Sequence, residues 1–141
     1  MRDEFVLDAS VAAKCFFEEE DSEAADQLLQ SGARLIAPDL IHVEMASIAA
    51  KQVRQRGASQ EVARRAVVGL QAILSESVPS KALAEEAFNL ATNHGFSAYD
   101  GTYLALARER GLVVVTADVK FARKAAEAGL VRHIILLDME R

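Results

Sequence analysis

The sequence predicts an α/β fold, a three-layer sandwich around a central parallel sheet of about four to five strands. Two apolar runs at opposite ends of the chain share one design. They are Phe5-Val6-Leu7-Asp8-Ala9-Ser10 and Leu112-Val113-Val114-Val115-Thr116-Ala117-Asp118, and each stops on a carboxylate. An apolar run of that length suits a strand covered on both faces, the environment of a parallel sheet. Between them, strand-like runs alternate with longer helical patterns, as βα units require. No repeat, low-complexity tract or linker interrupts the alternation, so one domain over residues 1–141 accounts for the chain.

Each element has a local cause. The first strand stops on Asp8, and after it Ser10 can cap a helix running to about Phe17. Glu18-Glu19-Glu20-Asp21 is a solvated acidic turn. Ser22 opens a second helix that buries Ala25, Leu28 and Leu29 and stops near Gly32. Arg34-Leu35-Ile36-Ala37 is a short strand closed by Pro38. Asp39 is a good N-cap for a long helix to about Gln55, with Gly57 as its stop. Ser59 caps another helix, to about Glu76. Ser77-Val78-Pro79 suits only an edge strand, because proline lacks the N–H for full pairing. Ser80 opens a helix that ends at His94-Gly95, and a further helix runs from about Ser97 to Gly111. The strand at 112–116, a helix from Asp118 to about Gly129 and a last strand, His133 to Leu137, complete the chain.

Composition narrows the class. Apolar residues at 51% and charged residues at 26% describe a soluble globular protein. No run of about eighteen apolar residues is present, so no membrane span is expected, and the N-terminus lacks the apolar core of a signal peptide. The single cysteine, Cys15, has no internal partner, which fits a reducing cytoplasm. A net charge of −5 does not announce a nucleic-acid binder. Basic residues are nevertheless grouped, Lys51, Arg54, Arg56, Arg64 and Arg65 in one region and Lys120, Arg123 and Lys124 in another. They are either solvated helix faces or a basic rim around an acidic site. The phenylalanines Phe16, Phe17, Phe88, Phe96 and Phe121 are expected in the core. His42, His94 and His133 lack zinc spacing, and no glycine-rich nucleotide loop or nucleophile elbow is present.

The informative residues are acids at positions where apolar residues belong. Glu44 has Leu40, Ile41 and Ile48 as its helical neighbours, and Asp100 has Tyr103, Leu104 and Ala107. Asp8 and Asp118 sit at strand ends. In an open parallel sheet, ligands bind beyond the carboxyl ends of strands where the strand order reverses, and these two would face one crevice there. Each acid also has a purely structural role open to it. Asp8 can bond the next turn, Asp100 can sit at the third position of a cap opened by Ser97, Asp118 can be an N-cap, and Glu44 can meet a buried arginine. Together they point to a cation site, because clustered carboxylates repel one another and buried ones are costly unless paired. Oxygen-only ligands select Mg²⁺ or Mn²⁺ over Zn²⁺. Ser10 and Thr116 add hydroxyls able to orient carboxylates or water. A metal so held polarises a phosphoryl oxygen and activates water, which suits phosphodiester hydrolysis.

These residues resemble the PIN-domain ribonucleases, and within them the VapC-type toxins of bacterial toxin–antitoxin pairs. The resemblance covers nearly the whole chain and is carried by Val6-Leu7-Asp8-Ala9-Ser10-Val11-Ala12, by Glu44 within Val43-Glu44-Met45-Ala46, by Ser97-Ala98-Tyr99-Asp100-Gly101-Thr102-Tyr103-Leu104-Ala105-Leu106-Ala107, and by Thr116-Ala117-Asp118 followed by Phe121. It implies a Mg²⁺- or Mn²⁺-dependent endoribonuclease with Asp8, Glu44, Asp100 and Asp118 as its acidic quartet, a homodimer, and a cognate VapB-like antitoxin whose C-terminal segment wraps the toxin. Many relatives carry a tryptophan where this chain has Cys15, a packing difference that leaves the acids untouched. On this reading Asp8, Asp100 and Asp118 hold the metal, and Glu44 completes the set and takes a proton from the attacking water. The basic groups, Arg54, Arg64 and Arg65 with Lys120 and Arg123, hold the RNA backbone. Two rivals stand beside it. A non-catalytic binding module of the same fold would have little reason to keep all four acids. A Mg²⁺-dependent phosphotransfer protein would need an acidic pair at the first strand end, where this chain has Asp8-Ala9-Ser10.

Overall fold

The computed structural model describes residues 3–137. At its centre lie five short parallel strands, β1 (Glu4–Leu7), β2 (Arg34–Pro38), β3 (Glu76–Val78), β4 (Val114–Thr116) and β5 (Ile134–Leu136), side by side in the order β3-β2-β1-β4-β5. The register pairs Val6 with Ile36 on one side and with Val114 on the other. β1 is therefore the central strand, and Val6 and Leu7 are fully buried, as an apolar run without alternation requires. The chain builds outward from β1 through β2 to β3, then returns to the far side of β1 to lay down β4 and β5. The order reverses at the carboxyl end of β1, where such sheets open a crevice.

The helices α1 (Ala9–Lys14), α2 (Ser22–Gln30), α3 (Ile41–Arg56), α4 (Gln60–Ile73), α5 (Ala84–His94), α6 (Ala98–Arg110) and α7 (Val119–Glu127) flank the sheet. α6 is buried without interruption from Gly101 to Ala107 and lies against β1, β2 and β4. α5 comes close to it at Gly101, where a side-chain carbon would stand 3.0 Å from the Ala87 carbonyl oxygen. α3 packs on α4 and α1. One continuous core joins Leu7, Ile36, Ile41, Met45, Leu70, Leu104 and Leu106. None of the described helices is long and apolar enough to cross a membrane.

Several boundaries differ from the sequence expectation. β1 ends at Leu7, and Asp8, extended at φ −77° and ψ 149°, precedes α1. Ser10 therefore lies inside the first turn and does not cap it, and the helix ends at Lys14, short of Phe17. Asp39 is not an N-cap either. Its Oδ1 accepts from the Ser80 N–H at 2.9 Å and the Ser80 hydroxyl at 2.7 Å, tying the end of β2 to the turn after β3. α4 stops at Ile73, because Leu74 is extended and Glu76 starts β3, where Arg34 and Arg110 hold its carboxylate. Ser80 opens a single 3-10 turn, Ser80–Leu83, ahead of α5. Val131–His133 is another such turn, so β5 starts at Ile134. Ser22, Ser59 and Ser97 open their helices as expected, the latter two accepting from the Val62 and Asp100 N–H groups. Phe17, Phe96 and Phe121 are buried and Phe16 packs against the core, but Phe88 is 63% exposed on α5.

Candidate active site

The carboxyl ends of β1 and β4 are locked together by hydroxyls. Leu7 pairs with Val115, and the Asp8 N–H donates to the Val115 carbonyl at 3.1 Å. This sets Asp8 beside Thr116, whose hydroxyl donates to Asp8 Oδ2 at 2.6 Å. The Ser10 hydroxyl donates to the same oxygen at 2.8 Å. Each hydroxyl is aimed in turn by a backbone donor: the Ala117 N–H reaches Ser10 Oγ and the Asp118 N–H reaches Thr116 Oγ1, both at 3.0 Å. Ser10 and Thr116 thus hold one oxygen of Asp8 and leave Oδ1 free of hydroxyl donors.

The other acids come from helix starts. Glu44 lies in the first turn of α3, and Tyr103, fully buried on α6, donates its hydroxyl to Glu44 Oε1 at 2.6 Å. Among the described residues no arginine meets Glu44; the phenol takes the place that a buried arginine was free to fill. Asp100 lies in the first turn of α6, where its N–H donates to Ser97 Oγ at 3.0 Å. Asp118 caps α7, Oδ1 accepting from the Phe121 N–H at 3.1 Å. The structural role open to Asp118 is thus real, and the residue lines the cleft as well.

The acids act on one another. Burial pushes the Asp8 carboxyl above its ordinary value, against the lowering effect of the Thr116 and Ser10 hydroxyls, and Asp118 adds to the rise. Glu44 is pushed up to about 7, chiefly by burial, with Asp8 and Asp100 adding and Tyr103 opposing. Asp100 is pushed up to about 6 by burial, then by Asp8 and Asp118, with Lys124 opposing. No arginine, lysine or histidine forms an ion pair with any of the four among the described residues. Acids that share a field and form no ion pair fit a hard cation. Among the described residues no three acidic, cysteine or histidine side chains stand close enough to form a ready-made cage. A cation here would therefore be held by a subset of the acids and by water, which is how Mg²⁺ is commonly bound.

The basic residues divide. Lys120, Arg123 and Lys124 line a cavity of about 370 Å³ together with Ser97, Asp100 and Asp118. Lys124 is fixed there, donating to the Gly95 carbonyl at 2.7 Å with its ammonium 6.0 Å from the centre of the Phe96 ring. Arg54, Arg64 and Arg65 lie elsewhere. Arg54 is in the last turn of α3, about 15 Å along the helix from Glu44. Arg64 borders an apolar groove between α3 and α4, and Arg65 pairs with Glu61 on its own helix. Cys15 is a half-buried thiol pushed up to about 11, chiefly by burial, and plays no part in the site. The residue that sequence reasoning missed is Tyr103, treated there only as an apolar neighbour of Asp100. The signal was present: a tyrosine in a fully buried stripe needs a partner for its hydroxyl.

The PIN domain model matches residues 5–127. Ribonuclease VapC3 of Pyrobaculum aerophilum is 32% identical to this chain over 121 residues, covering 84% of this chain and 92% of that protein. The crystal structure of Mycobacterium tuberculosis VapC20, described as a sarcin-ricin loop cleaving toxin, superposes with a TM-score of 0.67 at 19% identity, over 91% of this chain and 97% of that one. A chain of a toxin–antitoxin complex from Klebsiella pneumoniae superposes with a TM-score of 0.66 at 17% identity, over 93% and 95%. At those identities the two structures speak for the fold alone. The family model and the Pyrobaculum relative carry the assignment: this chain belongs to the PIN-domain family, whose ribonucleases are generally dependent on divalent metal.

Proposed function

We propose that this protein is a metal-dependent endoribonuclease and the toxin of a toxin–antitoxin pair. The observation that carries the reading is the set of four acids, none in an ion pair among the described residues, around the point where the sheet order reverses. Asp8, Asp100 and Asp118 would hold Mg²⁺ or Mn²⁺, directly or through water. When bound, the cation supplies Lewis acidity toward a phosphoryl oxygen and toward the attacking water. Glu44, pushed up to about 7, is matched to accept a proton from that water near neutral pH. Ser10 and Thr116 fix the Asp8 carboxylate by one oxygen, leaving the other for the cation. Lys120, Arg123 and Lys124 face the same cavity and oppose the charge of an RNA backbone entering an acidic site. Arg54, Arg64 and Arg65 extend a weaker basic track along α3 and α4.

The partners follow from the same reading. The relatives named above include a ribonuclease and a toxin–antitoxin complex, and a VapB-like antitoxin is the expected partner here. The groove between α3 and α4, lined by Ala46, Ala49, Val53, Ala63 and Val67, suits the apolar face of its helix. An arginine is the side chain best suited to silence the quartet, since its planar fork meets a carboxylate in two bonds. The working form is a homodimer of single-domain chains in the cytoplasm.

The deciding experiment is incubation of the antitoxin-free protein with an RNA pool. Cleavage should need Mn²⁺ or Mg²⁺ and stop when EDTA is added. Intact RNA under every metal condition would refute the reading and favour a non-catalytic module.

A further inference from the structure

We propose that Tyr103 is a positioning residue of the active site, tying the Glu44 carboxylate to the helix that carries Asp100 so that only Oε2 is presented to the cleft. The proposal rests on the nuclease reading above for its consequence, and on the geometry for its substance. Glu44 stands on α3 and Asp100 on α6. These helices pack on different partners, α3 on α4 and α1, and α6 on α5 and the sheet. Backbone packing between them is therefore a poor guide to the separation of the two carboxylates. The Tyr103 hydroxyl reaches across from α6 to Glu44 Oε1 at 2.6 Å, the short distance of a charge-assisted bond. Tyr103 follows Asp100 by three residues on the same helix, so whatever Tyr103 holds is placed relative to Asp100.

The two ends of this contact differ in mobility. The Tyr103 ring is fully enclosed in the core, so its hydroxyl has almost no freedom. Glu44 is only partly buried, and without a fixed donor its long side chain would sample several rotamers. Among the described residues no buried polar side-chain atom lacks a partner, and the one side-chain hydrogen bond of Glu44 runs through Oε1. Oε2 is therefore the oxygen left open to solvent. A phenylalanine would fill the same space without the cost of burying a hydroxyl. The hydroxyl is accounted for by the carboxylate it holds. Burial and the nearby Asp8 and Glu44 charges also keep the phenol well above its ordinary pKa, so it remains a donor throughout the working range.

The test compares Tyr103→Phe, Glu44→Gln and the double variant with the wild-type protein. Tyr103→Phe keeps the ring and should fold normally by circular dichroism. Its kcat on a short RNA should fall about tenfold, with KM within about twofold, the effect of losing one charge-assisted bond to a catalytic group. In the Glu44→Gln background the same change should cost nothing further, because the group it positions is gone. A structural role would instead add its effect in both backgrounds. A crystal structure of metal-free Tyr103→Phe should show the Glu44 side chain in more than one rotamer. An unchanged kcat, additive effects, or a single wild-type rotamer in the variant would overturn the proposal. If the wild-type protein cleaves no RNA, the nuclease reading falls, and the rotamers of Glu44 in the variant still decide the positioning.

Discussion

The carboxylate of Asp8 shows how an acid on a buried strand end is kept useful. One oxygen is held by two hydroxyls that backbone N–H groups aim at it, while burial and Asp118 push its proton affinity up. Asp8→Asn keeps the shape and removes the charge, so RNA cleavage should fall by more than about a hundredfold. Asp100→Asn should behave alike. Both variants should melt no lower than the wild type without metal, because each removes a repelling charge from the cleft. Near-normal cleavage in both, measured on one RNA with Mn²⁺, would show that the acids do not hold the catalytic cation. All four acids were legible in the sequence because each violates a local rule, an acid on an apolar stripe or at the end of an apolar strand. Tyr103 was passed over, because a tyrosine among leucines and alanines breaks no pattern; only the need of its buried hydroxyl for a partner marked it. Its meaning lies in the oxygen of a residue 59 positions away.

At the scale of elements, the pattern fixed strand and helix types, and the errors fell where a side chain bonds far along the chain. Asp39 has the chemistry of an N-cap but bonds Ser80 instead, and Ser10 bonds Asp8 and Ala117. Neither long-range partner is visible from local spacing. Glu76 looked like the end of a helix until Arg34 and Arg110 fixed it at the amino ends of the strands. That cluster is far from the cleft and half open to solvent, so Glu76→Gln should lower stability by only about 1 kcal/mol, or about 2–4 °C in melting temperature. Cleavage should be unchanged. The arginines hold the Glu76 carboxyl below its ordinary pKa, so its stabilisation is present above that ordinary value and is lost as pH falls through the folded value. The gap between variant and wild type should close in acid; a gap that persists at the lowest pH would mean that the charge is irrelevant. The start of α7 gives a second test. Replacing Lys120, Arg123 and Lys124 with alanine should weaken RNA binding and flatten its salt slope by about 2. The Arg54, Arg64 and Arg65 triple should do less, being remote from the quartet. An unchanged slope in the first triple would take RNA away from that side of the cleft.

Over the whole molecule, the cleft sets a conflict between folding and readiness for metal that depends on pH. Glu44 and Asp100 are pushed up to about 7 and about 6, and Asp8 is also raised. In the unfolded chain the same groups titrate near 4. Below pH 4 the carboxyls are protonated in both states and these groups cost nothing. Between about pH 4 and 7 the unfolded chain gives up protons that the folded chain keeps, so stability falls as pH rises, and well above pH 7 the loss from Glu44 and Asp100 is complete. The metal-free protein, kept in EDTA, should therefore melt higher at pH 5.5 than at pH 8. A divalent cation held by the ionised folded cleft would reverse this, because it would compete with protons for the carboxylates. At about a hundredfold excess over its Kd, Mn²⁺ should raise the melting temperature at pH 8 by about 5–10 °C, and by much less at pH 5.5. The shift should disappear in an Asp8→Asn/Asp118→Asn double variant. Thermal melts at the two pH values, with EDTA or Mn²⁺, separate the cases. A metal-free protein more stable at pH 8, or a Mn²⁺ shift that survives in the double variant, would place both the charge conflict and the cation outside this cleft.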